Sequence, residues 1–238
     1  MTAPTKAPRP KRAPKPRTPR KPAQAPLPLT FGSTPRIVVG IDPGAVGAAV
    51  ILRCGTAGPP ALVAAVTWIE RSRKSGTVYA PTWWPPQNGG ASSLHRLGVR
   101  LAIAADEGAG RGWDLDELPI HAACERQYSG RFAAAGLGVA WLAGLIAGPV
   151  FDVAANVGRP TPTEWRAVAA PLASQRRKKP VHGDAKPCPA AMGAQLAGGW
   201  PADLLAAYGL PADSDGADLP VDLGEALGVA LWAAAKTA

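Results

Sequence analysis

The sequence contains few of the residues from which disulfide frameworks and zinc sites are built. Its three cysteines, Cys54, Cys124 and Cys188, are an odd number without Cys-x-x-Cys spacing, and its three histidines are far apart. These spacings argue against a disulfide scaffold and against a Cys/His zinc site. A reducing, intracellular compartment is therefore the expected environment.

Long apolar runs are also missing, although 47% of the 238 residues are hydrophobic. No stretch supplies the roughly 20 uninterrupted, strongly apolar residues that a membrane-spanning helix needs. The most apolar segment, Phe132 to Val150, is rich in glycine, which is typical of a helix packed closely inside a core. We expect no membrane partner, and the length fits one large domain or two small ones.

Acidic residues are absent from the first 30 positions, where eight of the 26 lysines and arginines lie, leaving 18 bases against 17 acids in the rest. Repeated proline and the absence of an apolar period predict a disordered basic tail over residues 1–35, followed by one folded domain over residues 36–238. Such a tail suits salt-sensitive, sequence-independent binding to nucleic acid. A solubilising extension is an alternative, whereas dense proline disfavours a targeting helix.

The clearest structural signal is the stretch Ile37 to Leu52. A short β-branched run predicts a strand buried on both faces, and this strand ends at Asp42. Pro43 and Gly44 then predict a turn into a second, antiparallel strand. A carboxylate at the end of a buried strand is costly unless it is hydrogen-bonded, paired or bound to a cation, so Asp42 is either a turn cap or a functional residue.

A third strand over Ala61 to Ile69 would complete an antiparallel meander. The following segment, Glu70 to Gly90, reads as an irregular loop. It contains basic residues that could follow phosphates, and adjacent tryptophans that could stack on unpaired bases or instead fasten the loop to the core. These residues are Arg71, Arg73, Lys74, Trp83 and Trp84.

Further elements follow from helical and strand-like patterns along the rest of the chain. A Thr-Pro-Thr-Glu sequence from Thr161 gives a strong helix-start signal. The other predictions are helices over Ala91 to Glu107, Phe132 to Gly148 and Val221 to Ala235, and strands over Pro119 to Cys124 and Val150 to Val157.

A basic segment, Ser174 to Lys186, lies between these elements. It is either a solvated surface or a phosphate-binding loop. Its cationic residues are Arg176, Arg177, Lys178, Lys179 and Lys186.

Four acidic residues lie at element boundaries: Asp42 and Glu125 after strands, and Asp222 with Glu225 on one face of the last helix. If the two strands are neighbours and the helix packs across them, the four carboxylates converge. Four close anions need a compensating cation, and all-oxygen ligation selects Mg²⁺, with Mn²⁺ able to substitute. The chemistry favoured by this cluster is two-metal phosphoryl transfer, with two ions per site.

The acidic motifs resemble those of RuvC-type Holliday junction resolvases. The resemblance rests on Gly40-Ile-Asp-Pro-Gly44, on Glu125 with Tyr128 three residues later, and on Asp222-Leu-Gly-Glu-Ala-Leu227, in the family's order. It implies an α/β, RNase H-like fold with a five-stranded mixed sheet, in which an antiparallel meander of strands one to three and two parallel strands are flanked by helices.

The resemblance also implies roles for individual residues. Asp42, Glu125, Asp222 and Glu225 would be catalytic metal ligands, and Lys186 would lie near the scissile phosphate. Tyr128 matches an aromatic residue that stacks into the junction, and Arg131 matches a DNA contact. The Pro162-Thr-Glu-Trp165-Arg166 segment looks like the family's Pro-x-x-Trp-Lys helix start. Two positions depart from the family: Glu225, where Asp is more usual, and Phe132, where a polar residue is common.

By this resemblance the chain would be a Mg²⁺-dependent endodeoxyribonuclease that acts in DNA recombination and repair, cutting four-way junctions as a homodimer. The helix Phe132 to Gly148 would be either its dimer face or simply core. The alternatives are an RNase H-like nuclease for flaps, forks or RNA, and a non-catalytic nucleic-acid-binding module. A phosphotransferase of related fold would need further glycine-rich nucleotide loops, which the sequence lacks.

Overall fold

The computed structural model describes residues 32–55, 58–73, 76–86, 93–110, 117–126, 133–173 and 188–237. The strands in these ranges are β1 (Arg36–Asp42), β2 (Val46–Cys54), β3 (Ala61–Arg73), β4 (Gly76–Trp84), β5 (Ile120–Cys124) and β6 (Asn156–Gly158). The helices are α1 (Leu94–Ala109), α2 (Ala133–Val153), α3 (Pro162–Ala173), α4 (Pro189–Gly193), α5 (Ala202–Ala207) and α6 (Val221–Lys236).

The strands form one mixed sheet in the order β4-β3-β2-β1-β5-β6. Strands β1 to β4 are antiparallel neighbours, whereas β5 pairs in parallel with β1 and with β6. The predicted antiparallel meander with added parallel strands, flanked by helices, is therefore confirmed. The predicted number of five strands is wrong, because the described residues form a sheet of six.

The additional strand, β4, lies inside the segment that was predicted to be an irregular loop, and β3 extends into that segment as far as Arg73. Its Pro81 pairs with Trp68 of β3, and β4 is an edge strand, where a residue without an N–H group is tolerated. Trp83 and Trp84 are buried on opposite faces of the sheet. They thus fasten this segment to the core, as one of the two sequence alternatives proposed.

The boundary between α2 and β6 also differs from the prediction. Helix α2 continues through Pro149 to Val153, so the predicted strand over Val150 to Val157 is reduced to the three residues of β6. Val150 is fully buried in the same apolar cluster as Ile146 and Ala147. Packing of this helical face against the sheet outweighs the local preference of proline and β-branched residues.

Two apolar cores lie on the two faces of the sheet, and β1 contributes to both. Ile37, Val39 and Ile41 face the core that contains α1 and α2, whereas Val38 faces the core that contains α6. Helix α6 crosses β1 so closely that a Cβ on Gly40 would lie 2.4 Å from the Ala226 carbonyl oxygen. Glycine at position 40 therefore lets the two backbones meet.

Within the described ranges, we find no helix with the length and apolar character needed to cross a bilayer. Residues 1–31 lie outside those ranges, and β1 begins at Arg36. The division into a basic tail over residues 1–35 and a domain over residues 36–238 stays a prediction.

Candidate metal centre

The two acids that follow strands lie side by side. Ile41 of β1 and Cys124 of β5 are parallel partners, and the Glu125 backbone N–H donates a 2.9 Å hydrogen bond to the Ile41 carbonyl oxygen. This bond extends the pairing of the two strands to the residue beyond β5. Asp42 and Glu125 are consequently neighbours at the carboxyl ends of two adjacent parallel strands, as the sequence predicted.

Helix α6 supplies the other two acids. It begins at Val221, with Asp222 in its first turn and Glu225 one turn later. Because the helix crosses β1 at Gly40, its amino-terminal turns lie over the end of that strand. Carboxylate oxygens of Asp42, Asp222 and Glu225 lie within 4.8 Å of one another. The positive end of the helix dipole favours negative charge at this place.

The cluster is buried, and burial dominates its electrostatics. Asp42 and Glu125 are each 8% exposed, and Glu225 is 5% exposed. Burial raises the pKa of Asp42 well above its ordinary value, and the charges of Glu225, Glu125 and Asp222 raise it further. A protein that keeps these groups ionised must offset both desolvation and mutual repulsion.

Glu125 is coupled directly to Asp42. Burial and then the Glu225 charge raise the pKa of Glu125, whereas Arg166 and a hydrogen bond with Asp42 lower it. The same hydrogen bond raises the pKa of Asp42. The pair behaves as two carboxylates that cannot both carry a full charge without a cation.

Arg166 supplies a basic group at this cluster. Its Nη2 lies 3.4 Å from Glu225 Oε1, and its guanidinium carbon lies 5.1 Å from the centre of the Trp165 ring. The sequence indicated that a helix starts here and that it resembles a known motif, but it gave Arg166 no part in the site. Only the packing of α3 against α6 brings together two residues that are 59 positions apart.

The start of α3 fixes the position of this arginine. Thr161 N–H donates to Glu164 Oε2 at 2.7 Å, and Glu164 N–H donates to Thr161 Oγ1 at 3.3 Å, which is the capping box that the sequence predicted. Trp165 is fully buried one position later. Its indole N–H is near enough to Glu125 to lower the pKa of that carboxyl, although it does not reach full hydrogen-bond geometry.

The four acids fit a hard divalent cation. Their donor atoms are all carboxylate oxygens, three of them are within 4.8 Å of each other, and the cluster is largely shielded from water. Oxygen-only donor sets of this kind suit Mg²⁺ and Mn²⁺. The sequence-predicted convergence of Asp42, Asp222 and Glu225, with Glu125 adjacent, is what the structure describes.

Most of the predicted nucleic-acid contacts cannot be placed in the same way. Arg71 and Arg73 lie on β3, where their backbones pair with Val78 and Gly76. The remaining predicted contacts and the predicted catalytic lysine lie outside the described residues; they are Lys74, Tyr128, Arg131, Arg176, Arg177, Lys178, Lys179 and Lys186. Their roles stay predictions.

A cavity of about 190 Å³ lies away from the acidic cluster, at the other end of the sheet. Its lining includes His121, Asn156, Trp232 and Lys236, and none of the four acids. His121 Nδ1 lies 3.1 Å from Asn156 Nδ2. The acidic cluster and this cavity are therefore separate features of the molecule.

Comparisons with known proteins find similar structures but no match by sequence. No protein-family model matches the chain, and no curated protein matches it by sequence. A structure of Thermus thermophilus RuvC is 15% identical with a TM-score of 0.40, covering 84% of this chain and 95% of that one. A structure of T. thermophilus RuvC in complex with Holliday junction substrate is 18% identical with a TM-score of 0.43, covering 85% and 94%.

Proposed function

We propose that this protein is a divalent-metal-dependent nuclease that hydrolyses phosphodiester bonds. The observation that carries the proposal is the convergence of Asp42, Asp222 and Glu225 oxygens within 4.8 Å, with Glu125 hydrogen-bonded to Asp42. A fold has little reason to bring together four mutually repelling carboxylates, three of them buried, unless a cation joins them. The carboxyl ends of strands in an open sheet are a common place for ligand sites.

The four acids would hold two Mg²⁺ ions. Ions bound there would supply an activated water and stabilise the departing oxygen. The protein's own part is to place the carboxylates before substrate arrives. Strand pairing fixes Asp42 and Glu125, the first turns of α6 fix Asp222 and Glu225, and Lys186 would contact the scissile phosphate.

We infer branched DNA, in particular a four-way junction, as the substrate. This inference rests on the order and spacing of the acidic motifs and on Tyr128 and Arg131. The basic residues of segments 71–74 and 176–179 would bind phosphates, and the basic tail would tether the protein to DNA. Two symmetric cuts require two active sites, so we infer a homodimer working intracellularly, with the exposed Trp141 of α2 marking a candidate interface.

The test is cleavage of a synthetic four-way junction, compared with a linear duplex of the same sequence, with Mg²⁺ and with EDTA. We expect Mg²⁺-dependent cleavage of the junction by the wild type and none by Asp42→Asn. Asp213→Asn is the matched control, because Asp213 is an exposed acid outside the cluster. Cleavage of neither DNA would contradict the nuclease proposal, and equal cleavage of both would restrict it to a nuclease without branch selectivity.

A further inference from the structure

We propose that Arg166 is a positioning residue whose guanidinium acts as an internal cation, holding Glu225 in place until a divalent metal takes over that charge. The proposal rests on the metal-dependent function proposed for the same site. It assigns to one side chain the task of keeping the acidic cluster assembled while no metal is bound. It also predicts that the ion pair and the metal compete.

The contacts of Arg166 suit this task. Its Nη2 lies 3.4 Å from Glu225 Oε1, and the two side chains are 23% and 6% exposed. The guanidinium also lies over the Trp165 ring at 5.1 Å, and Trp165 is fully buried. A flat guanidinium resting on a fixed aromatic surface loses little further freedom when it pairs with a carboxylate.

The position of Arg166 extends its influence beyond Glu225. Its charge lowers the pKa of Glu125, whereas the Glu225 charge raises it. Arg166 therefore acts on acids from two different elements, the residue after β5 and the second turn of α6. A single cation at this point offsets repulsion across the cluster, as a bound metal would.

This arrangement makes metal binding and the ion pair oppose each other. A divalent cation among the carboxylates repels the guanidinium and draws on the same negative charge. An interaction that stabilises the metal-free fold more than the metal-bound fold reduces the gain in stability on metal binding, because the two effects are thermodynamically linked. Removal of the Arg166 charge should thus weaken the metal-free protein and enlarge its response to metal.

The test is thermal unfolding of the full-length protein in EDTA and in excess Mn²⁺. Arg166→Met should lower the Tm in EDTA. Mn²⁺ should raise the Tm of this variant by about 3 °C more than it raises the Tm of the wild type, since a change of 1 kcal/mol shifts the Tm of a protein of this size by roughly 2–4 °C. Arg53→Met, which removes an exposed arginine at the far end of β2, should match the wild type in both conditions.

A merely structural role would lower the Tm of Arg166→Met equally with and without Mn²⁺, and that result would overturn the inference. Arg166→Gln provides the same comparison if the methionine variant does not fold, and Arg166→Lys should retain a wild-type response to Mn²⁺. In a Glu225→Gln background, the effect of Arg166→Met should shrink. A wild type whose Tm does not respond to Mn²⁺ would contradict the metal centre itself, a result distinct from failure of the arginine's role alone.

Discussion

The two ends of the β-sheet differ in the charged side chains that they bury, and helix α6 contacts those side chains at both ends. At one end, its first turns bring Asp222 and Glu225 to Asp42. At the other end, its last turn presents a carbonyl oxygen to Arg36, whose side chain is 1% exposed. One end gathers four acids beside one arginine, whereas at the other end backbone carbonyl oxygens accept hydrogen bonds from Arg36.

Arg36 is matched by the backbone. Its Nη1 donates to the Thr34 carbonyl oxygen and its Nη2 to that of Ala234, each at 2.8 Å. The negative end of the α6 dipole lies at the same place, so a cation there is favoured. At the opposite end, Arg166 lies 3.4 Å from Glu225, one of the four clustered acids. This contrast supports a structural role for the basic end and the metal centre that we propose for the acidic end.

The largest effect should come from removing charge at the acidic end without changing shape. Glu125→Gln should lower the rate of junction cleavage by about 1,000-fold, because loss of metal stabilisation costs several kcal/mol and each 1.36 kcal/mol is a factor of ten. The measurement is single-turnover cleavage at saturating Mg²⁺. Glu117→Gln is the control, since Glu117 is an exposed acid just before the start of β5. A loss of less than tenfold would show that Glu125 is not part of the centre.

A smaller effect should follow from separating α6 from β1. In Gly40→Ala, the new Cβ would lie 2.4 Å from the Ala226 carbonyl oxygen and 2.5 Å from the Ala230 nitrogen, so the helix must move. We expect a loss of about 3 kcal/mol in the free energy of unfolding, as for severe overpacking. Urea denaturation measures it. Gly138→Ala in α2, where a Cβ meets nothing within 4 Å, should leave stability unchanged or raise it.

At the basic end, Arg36→Met should reduce stability by about 2 kcal/mol, since it leaves two carbonyl oxygens without their donors. Metal binding at the far end of the sheet should not change. Urea denaturation and Mn²⁺ titration of the same variant check both statements. Weakened Mn²⁺ binding in this variant would mean that the two ends of the sheet are coupled and do not have separate roles.

The smallest effect concerns pH at the basic end. Burial, with help from the Arg36 charge, lowers the pKa of His121, so the folded state favours the neutral ring. The stability linked to this ring should be complete above the ordinary value near 6.5 and should be lost as pH falls through the lowered pKa. Stability measured between pH 7.5 and 5.5 should therefore decline more steeply in the wild type than in His121→Gln. Parallel curves would contradict this assignment.

The acidic end was largely predictable from the sequence because each of its parts has a local signal. Asp42 and Glu125 each follow an apolar strand, and the spacing of Asp222 and Glu225 places them on one helix face. Parallel pairing of the two strands then requires their ends to meet. Gly40 of the same motif permits another backbone to approach closely. Only the structure shows that this backbone is that of α6.

Other features depend on contacts that no local pattern specifies. The pairing of Arg166 with Glu225 needs α3 to pack on α6. Strand β4 was missed because Pro81 indicates a loop unless the strand lies at a sheet edge. Which strand lies at the edge depends on the topology of the whole sheet. The end of α2 was placed too early because Pro149 usually marks a stop, whereas the burial of Val150 keeps the helix going.

Calorimetric titration of Mn²⁺ into the metal-free protein without DNA tests the acidic end most directly. We expect two ions to bind the wild type, loss of that binding in Asp42→Asn, and undiminished binding in Arg36→Met. No binding to the wild type, or binding to Asp42→Asn as tight as to the wild type, would contradict the claim that the acidic end of this sheet is a metal centre.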